Sequence, residues 1–566
     1  MVAGVATLFA YVLVTGAIAG WQARNLAQSL KAAEASARAL DISTLATELP
    51  AARSSAHWLA LTTAGPVWAA LGKAPLLGPS VAAGRTLAES VDSVLAATGP
   101  LQAPLDAVGG GQLRASDGSL DLALLEPAPA ALRSTEAALR DASARLAAID
   151  TTALPGPLSA AVSQATTQLP DVIPLVGTAA ELTERGLPLL GTEHPRTWLI
   201  LLQNPSELRG TGGLVGGYAL MTADKGRISL TRFGPNDDLM KGGDIPSTSL
   251  PDDVRAMFKS DLSDWRMINL SPHFPYTGQL SAAGMRQLGT PIDGVVSVDG
   301  EVVAALLAAT GPISVPGRTV TAETAADYIT RQVYLDHTDV VEKDTALLSL
   351  LQQTMGALTN GSPNLAALAR GLVDSVRAGH LLAWSADPAE ESWLEKVGVA
   401  GSLSDAPGPS VSVALNNGSG NKVDAYVQAT ADYSVGQCPT SQSQSSGLAL
   451  TLTNAAPDGL PEYVAQRLDD PSLPLSGDRM LVDVYAPVGG QLLEATLDGG
   501  PTVIGSGTDR GRPVWRFTIE LDRDTTKTLA LRFSEPTVAG TKPSLWLPAM
   551  VRPAVVTVTP TALCSP

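Results

Sequence analysis

Hydrophobic and polar positions change rhythm three times along the chain. Residues 1–20, MVAGVATLFAYVLVTGAIAG, carry no charged side chain; as a helix they would extend about 30 Å, the thickness of a bilayer core. From Gln22 to about Leu190 apolar residues recur at intervals of three and four. Leu26, Leu30, Ala33, Ala37 and Leu40 form one such stripe, as expected for an amphipathic helix leaving the membrane. Further helices are predicted around Ser54 to Leu71, Val81 to Ala96, Ala130 to Ile149 and Ala160 to Gln168, separated by Pro75, Pro79, Pro100, Pro127, Pro129 and Pro155. At Arg196 strand patterns begin. TWLILLQ reads as a buried strand, and LVGGYALMTA and GRISLTRF are joined by Asp224-Lys225-Gly226, a hairpin turn signal. GVVSVD and the helical EVVAALLAAT follow, and strands alternating with helices predict an α/β domain with a mixed sheet. From about Pro409 onward runs such as PSVSVAL, GLALTLTN and PVWRFTIEL alternate at strand length, which predicts a β-sandwich.

The fold expected is therefore a multidomain α+β chain: a transmembrane anchor at 1–21, a helical bundle or stalk at 22–190, an α/β domain at 195–380 and a β-rich sandwich region at 381–566. A chain of 566 residues is long enough for roughly three cores.

The N-terminal run admits a second reading. Ala17-Ile18-Ala19 has the small-x-small form of a cleavage site, whereas the length of the run and the lack of a basic segment before it favour an anchor. Trp21 falls where an interfacial aromatic belongs, and Arg24 lies just beyond. Orientation is set by conflicting signals. Arg24, Lys31 and Arg38 alone would place the following side in the cytoplasm, while Cys438 and Cys564, an even pair in the β-rich end, fit a disulfide and an extracytoplasmic location, the alternative being two buried free thiols. The expected localisation is the cell membrane, single-pass, with the bulk of the chain extracytoplasmic.

Charge narrows the partners. A net charge of −17 and the absence of any basic run argue against nucleic acid. The chain has no P-loop, HExxH, CxxC or GxSxG motif. The five histidines, His57, His194, His273, His337 and His380, are scattered without metal-ligand spacing and read as structural.

The segment with the most chemical promise is QNPSELRGTGGLVGGYALMTADKGRI, residues 203–228. Gly210, Gly212, Gly213, Gly216 and Gly217 could turn successive backbone N–H groups toward one anion, with Arg209 adding a charged fork. The competing reading is a tight turn with close strand packing, in which Arg209 pairs with Glu207.

This run, with INLSPHFP, DGVVSVDGEVVAALLAATGPISVPG and the distal LTLTNAAPDGLPEYV, resembles the bacterial envelope family catalogued as domain of unknown function 4012, over about residues 196–335. The resemblance implies an anchored surface protein and brings no established activity. A more distant likeness is to the LytR-CpsA-Psr family, which transfers polymers from polyprenyl pyrophosphate carriers to the cell wall. The order of parts is similar: Arg209 before one strand, Arg232 and Asp238 after the next, then Asn269, VVSVDGEVVAALLAATGPI, Tyr328 and Arg331. In that family serine and aspartate follow the first arginine; here Gly210-Thr211 does.

Together these point to an envelope protein of cell-wall or surface-polysaccharide assembly that binds an anionic or lipid-linked glycan, with Arg209, Thr211, Gly212, Gly213, Gly216, Arg232, Asp238 and Arg331 as ligand-binding candidates. No cofactor is certain. The alternative implied by the second likeness is a phosphotransferase in which Arg209, Arg232 and Arg331 hold the pyrophosphate and Asp238 a divalent metal such as magnesium. A third is a non-catalytic scaffold for other envelope proteins.

Overall fold

Small residues set the packing of the N-terminal helices. Ala52, Ala56 and Ala60 recur on every fourth position of the helix Ile42–Ala64 and are buried; side chains that short let helix backbones approach closely. The structure, a computed structural model, describes residues 2–38, 41–75, 77–111, 113–115, 118–337, 339–436, 442–538 and 540–561, with the side chains of 2–13, 37, 38, 360 and 561 outside the description. The chain divides into two compact units, residues 1–195 with 223–228, and 196–222 with 229–566.

The first unit is helical. Its long helices are Val2–Arg38, Ile42–Ala64, Gly78–Ala97, Ala128–Ala147 and Gly156–Leu189. Leu26, Ala52, Ala56 and Leu95 form one small core, with Leu30 packed against it, so Leu26 and Leu30 of the stripe read after Gln22 do face a partner, whereas Leu40 and the side chain of Ala37 lie outside the described residues. Among the described residues no helix is long and apolar enough to cross a membrane. The anchor expected at 1–21 falls mostly on side chains outside the description, and the pair Cys438 and Cys564 lies outside the described residues altogether. Prolines act here in two ways. Pro79 and Pro129 stand in the first turns of their helices, where a missing N–H leaves no bond unmade. Pro170 and Pro174 instead lie inside the 34-residue helix Gly156–Leu189. The expected stop near Gln168 does not occur, because packing of this helix against Ala128–Ala147 outweighs the lost hydrogen bonds; at Gly177 an added Cβ would come within 2.7 Å of the Glu136 carboxylate.

The second unit joins a mixed sheet to a sandwich. Strands β1 (Arg196–Arg209), β2 (Gly212–Asp224), β3 (Arg227–Pro235) and β4 (Gly294–Val298) form the sheet with β7 (Leu382–Ser385), in the order β3-β2-β1-β4-β7; the short hairpin β5 (Ile313–Val315) and β6 (Arg318–Val320) stands apart. β1 and β4 run parallel, with Trp198 opposite Gly294 and Leu202 opposite Val298, whereas β7 is antiparallel to β4. The central sheet thus continues past residue 380. The β2–β3 turn holds Lys225 and Gly226 at φ of 48° and 79°, the left-handed pair that a two-residue hairpin loop requires.

The C-terminal strands are β8 (Ser410–Asn417), β9 (Val427–Gly436), β10 (Ser443–Asn454), β11 (Asp478–Tyr485), β12 (Gln491–Leu497), β13 (Gly500–Pro501), β14 (Gly505–Asp509), β15 (Arg512–Leu521), β16 (Thr526–Pro536), β17 (Ser544–Trp546) and β18 (Val555–Thr561). They form sheets of order β13-β12-β16-β10-β9-β18 and β14-β15-β11-β8-β17. Alternate residues, Val427, Ala429, Ala431 and Tyr433 on β9 and Met480, Val482 and Val484 on β11, share one core. Leu208, at the end of β1, is buried in that core, and its N–H donates to Asp424 Oδ2 at 2.6 Å. One strand therefore serves both layers.

A half-satisfied carboxyl marks the β7 edge. Glu391, on the helix Pro388–Lys396, accepts from the Ser385 N–H through Oε2 at 2.9 Å, while Oε1 has no partner. Burial pushes this acid from 4.5 up to about 7. Its raised value means that the associated stability is complete below pH 4.5 and is lost as pH rises through 7. Glu391→Gln should abolish that dependence and be more stable than the parent at pH 8 by about 1–2 kcal/mol, allowing for partial solvent screening. Urea unfolding of both proteins at pH 4.5 and pH 8 reads the difference.

Candidate functional site

The glycine-rich stretch closes upon the fold itself. Gly210 and Thr211 link β1 to β2, and the Gly210 N–H donates to Asn416 Oδ1 at 2.9 Å. The Gly213 N–H donates to Gln203 Oε1 at 3.2 Å. Thr211 Oγ1 accepts from Gln203 Nε2 at 3.0 Å and from Asn269 Nδ2 at 3.2 Å. A Cβ on Gly210 would lie 2.2 Å from the Leu270 carbonyl oxygen, and one on Gly213 2.1 Å from the backbone of Asn204. Gly212 sits at φ of 133°. The Gly210 and Gly213 N–H groups are thus spent within the protein. Arg209 is equally committed: it is buried, pairs with Glu207 Oε1 at 2.8 Å and donates to the carbonyls of Leu208 and Arg266.

Gly216 differs from its neighbours. It is exposed, and the nearest atom to an added Cβ is 4.0 Å away. It borders, with Gly217 and Gly234, a pocket of about 270 Å³ at the carboxyl end of β4. The wall is aliphatic, made by Leu202, Leu214, Val298, Val303 and Ile329 from below and by Leu347, Leu350 and Leu351 of the helix Val340–Asn360 from above.

One end of this pocket is polar and cationic. Lys343 Nζ lies 5.1 Å from the Tyr463 ring centroid and 5.7 Å from that of Tyr334, and Lys422 Nζ lies 5.7 Å from Tyr463. The two rings stack at 6.0 Å, and Asn204 Nδ2 donates to the Tyr334 hydroxyl at 2.5 Å. Lys422 is anchored by Glu207 Oε2 at 2.8 Å, so Glu207 bridges it to Arg209. Burial by itself would raise the Glu207 carboxyl; the charges of Lys422 and Arg209 outweigh it and hold the group at about 2. Burial likewise works against the Lys343 and Lys422 ammonium groups. Both are nonetheless raised, Lys343 by Tyr334 and Asp344, Lys422 by Glu207 and the tyrosines. Both cations stay charged at neutral pH. Acids are present too: Asp237, Asp299 and Asp344 line the same pocket, and Asp344 pairs with Lys343 at 2.9 Å.

Residues 193–334 match the family described as protein of unknown function, DUF4012. No curated protein and no solved structure matches the chain. The DUF4012 segment supplies β1 to β4 and the floor of the pocket, whereas Lys343 and Lys422 come from beyond it.

Within the DUF4012 segment the remaining candidates lie apart. Arg232, exposed on β3, reaches Thr290 Oγ1 at 3.4 Å. Asp238 pairs with Lys241 at 2.5 Å. Arg331 belongs to a single π-turn, Tyr328–Gln332, and pairs with Asp327. It borders a second cavity of about 190 Å³, with Glu301, Glu323 and His380. Neither cavity is lined by more than one of Arg209, Arg232, Asp238 and Arg331. Among the described residues no group of three or more His, Cys, Asp or Glu side chains is placed to hold a metal ion.

Sequence reasoning missed the polar end of the pocket. His380, read from the sequence as structural, has its Nδ1 2.5 Å from Asp299 Oδ2. Burial opposes its protonation, but Asp299 prevails and raises it. Asp299 is fixed in turn by capping the helix Gly300–Thr310.

Proposed function

We propose that this is a membrane-anchored, extracytoplasmic protein of a bacterial envelope that binds an anionic amphiphile, of the lipid-linked glycan kind used in cell-wall or surface-polysaccharide assembly. The observation that carries the reading is the division of one pocket into an aliphatic wall and an end bearing Lys343 and Lys422 among two tyrosines. An acyl or prenyl chain fits the wall, and a phosphate matches ammonium groups held charged in a partly dry site. Separation of Arg209, Arg232, Asp238 and Arg331 favours binding over the phosphotransferase alternative, in which those groups would act on one pyrophosphate.

Calorimetry with a short-chain, water-soluble polyprenyl phosphate tests this. Gly216→Leu should abolish the heat while leaving the unfolding transition in place, because the added side chain points into open space and a strand tolerates it better than glycine. Lys343→Gln should weaken binding by about 1.5–3 kcal/mol, the range for a hydrogen bond to a charged group. Equal heats for all three proteins, or none for the parent, would sink the proposal.

A further inference from the structure

Two hydrogen-bond donors face each other where the β14–β15 hairpin meets the start of the helix Phe274–Gln287. His273 stands at the N-cap of that helix and is 2% exposed. Its Nδ1 accepts from the Leu403 N–H at 3.0 Å. Burial, helped by the Arg510 charge, pushes the imidazole down to about 3, so the ring is neutral at pH 7. A neutral ring whose Nδ1 accepts carries its one proton on Nε2. That nitrogen lies 3.5 Å from Arg510 Nη1, which is itself a donor. Among the described residues neither nitrogen has an acceptor. Arg510 Nη2 donates to Asp405 Oδ2 at 3.0 Å, and Arg510 Nε is buried without a partner.

The backbone holds Arg510 there in a conformation that arginine does not favour. Arg510 and Gly511 form the two-residue loop of the hairpin, between the paired Asp509 and Arg512, at φ of 53° and 72°. Such a loop favours Asn or Asp before Gly, since their short side chains tolerate the left-handed region. Arginine gives the turn nothing that these would not. The loop is fastened to the helix by Tyr276, whose hydroxyl donates to Asp509 Oδ1 at 2.8 Å and whose ring meets that of His273 edge-on, 4.4 Å between centroids. His273 and Arg510 open on one pocket of about 440 Å³, lined also by Asp253 and Asp405. It shares no lining residue with the pocket at the end of β4.

The charges select the ligand. A phosphate or carboxylate would satisfy His273 and Arg510 but would meet two carboxylates against one guanidinium; an ammonium group would satisfy the acids and leave both donors unpaired. A peptide group holds its C=O and N–H on opposite edges, whereas Arg510 Nη2 and Asp405 Oδ2 stand side by side. Neighbouring hydroxyls of a sugar ring present an acceptor and a donor from one edge. We propose that this pocket binds a neutral saccharide, one hydroxyl accepting from His273 Nε2 and Arg510 Nη1 while its neighbour donates to Asp405 or Asp253. The site does not depend on the amphiphile reading above.

Saturation-transfer NMR tests it on the full chain, held in a detergent without a sugar headgroup. The probes are the methyl glycosides of glucose, galactose, mannose, arabinose and N-acetylglucosamine, with glucose phosphate and N-acetylalanine amide for comparison. Transfer to at least one neutral glycoside is expected, with affinity at least about tenfold lower in Arg510→Asn, the effect of losing a hydrogen bond from a charged group. Asparagine suits the left-handed loop, so this variant should melt no lower than the parent. Should it melt lower, Asp405→Ala decides in its place, because Asp405 is 70% exposed and its loss should weaken the same glycoside while leaving the fold. Weakened binding in the folded variant supports the site. Transfer to no neutral glycoside, transfer to the phosphate or the amide alone, or equal affinity in parent and folded variant overturns it.

Discussion

Replacing Glu207 by glutamine is expected to lower the unfolding free energy by about 3–5 kcal/mol, the range for removing one partner of a buried ion pair. Glu207 stands between two cations, Arg209 and Lys422, each 2.8 Å away, and the three side chains are at most 10% exposed. A buried charge without its partner keeps its desolvation penalty and loses the attraction that offsets it. Glutamine retains the shape, so the change isolates charge from packing. The acid limb of the stability curve provides an independent check. Glu207 is held at about 2 against an ordinary 4.5; with a depressed value, its contribution is complete above pH 4.5 and is lost as pH falls through 2. The variant should lack that part of the limb. Guanidinium unfolding at pH 7 and at steps down to pH 2 measures both effects, and a variant as stable as its parent at pH 7 would show that the triad contributes nothing net.

The triad also shows why the site was only half legible. Sequence placed Glu207 beside Arg209 as a competing reading of the glycine-rich stretch, because i and i+2 in a strand share a face. Lys422 is 215 residues from Glu207 and has no local signature: a lone lysine before a strand is ordinary. Lys343 and Tyr463 enter the pocket from equally remote elements. The architecture was easier to read. TWLILLQ became the buried core of β1, and the Asp-Lys-Gly turn became a left-handed loop, because those signals are local and each demands one backbone geometry. Helix ends were read less well: the helix expected to end near Gln168 runs on to Leu189. Pro170 lies within a helix because tertiary packing can outweigh a local penalty of about 3 kcal/mol.

Gly213→Ala should destabilise the protein by about 3 kcal/mol, the upper end for overpacking a close-fitted site, whereas Gly216→Ala on the same strand should be neutral or slightly favourable. Spacing along the sequence does not separate these glycines; their surroundings do. A Cβ at 213 would stand 2.1–2.4 Å from the backbone C and O of Asn204 and the N of Pro205. Backbone atoms cannot step aside as a side-chain tip can. To relieve the clash β1 and β2 must part, which breaks the Asn269 Nδ2 bond to the Gly213 carbonyl at 2.8 Å and disturbs the turn that Gln203 and Thr211 hold. At 216 the nearest atom is 4.0 Å away, and alanine merely loses less backbone freedom on folding than glycine. Thermal unfolding of the two single variants and the double variant measures the contrast. Equal shifts would mean that the strand pair relaxes freely at 213; a large shift for 213 alone assigns that glycine, and not its neighbour at 216, to closing the sheet.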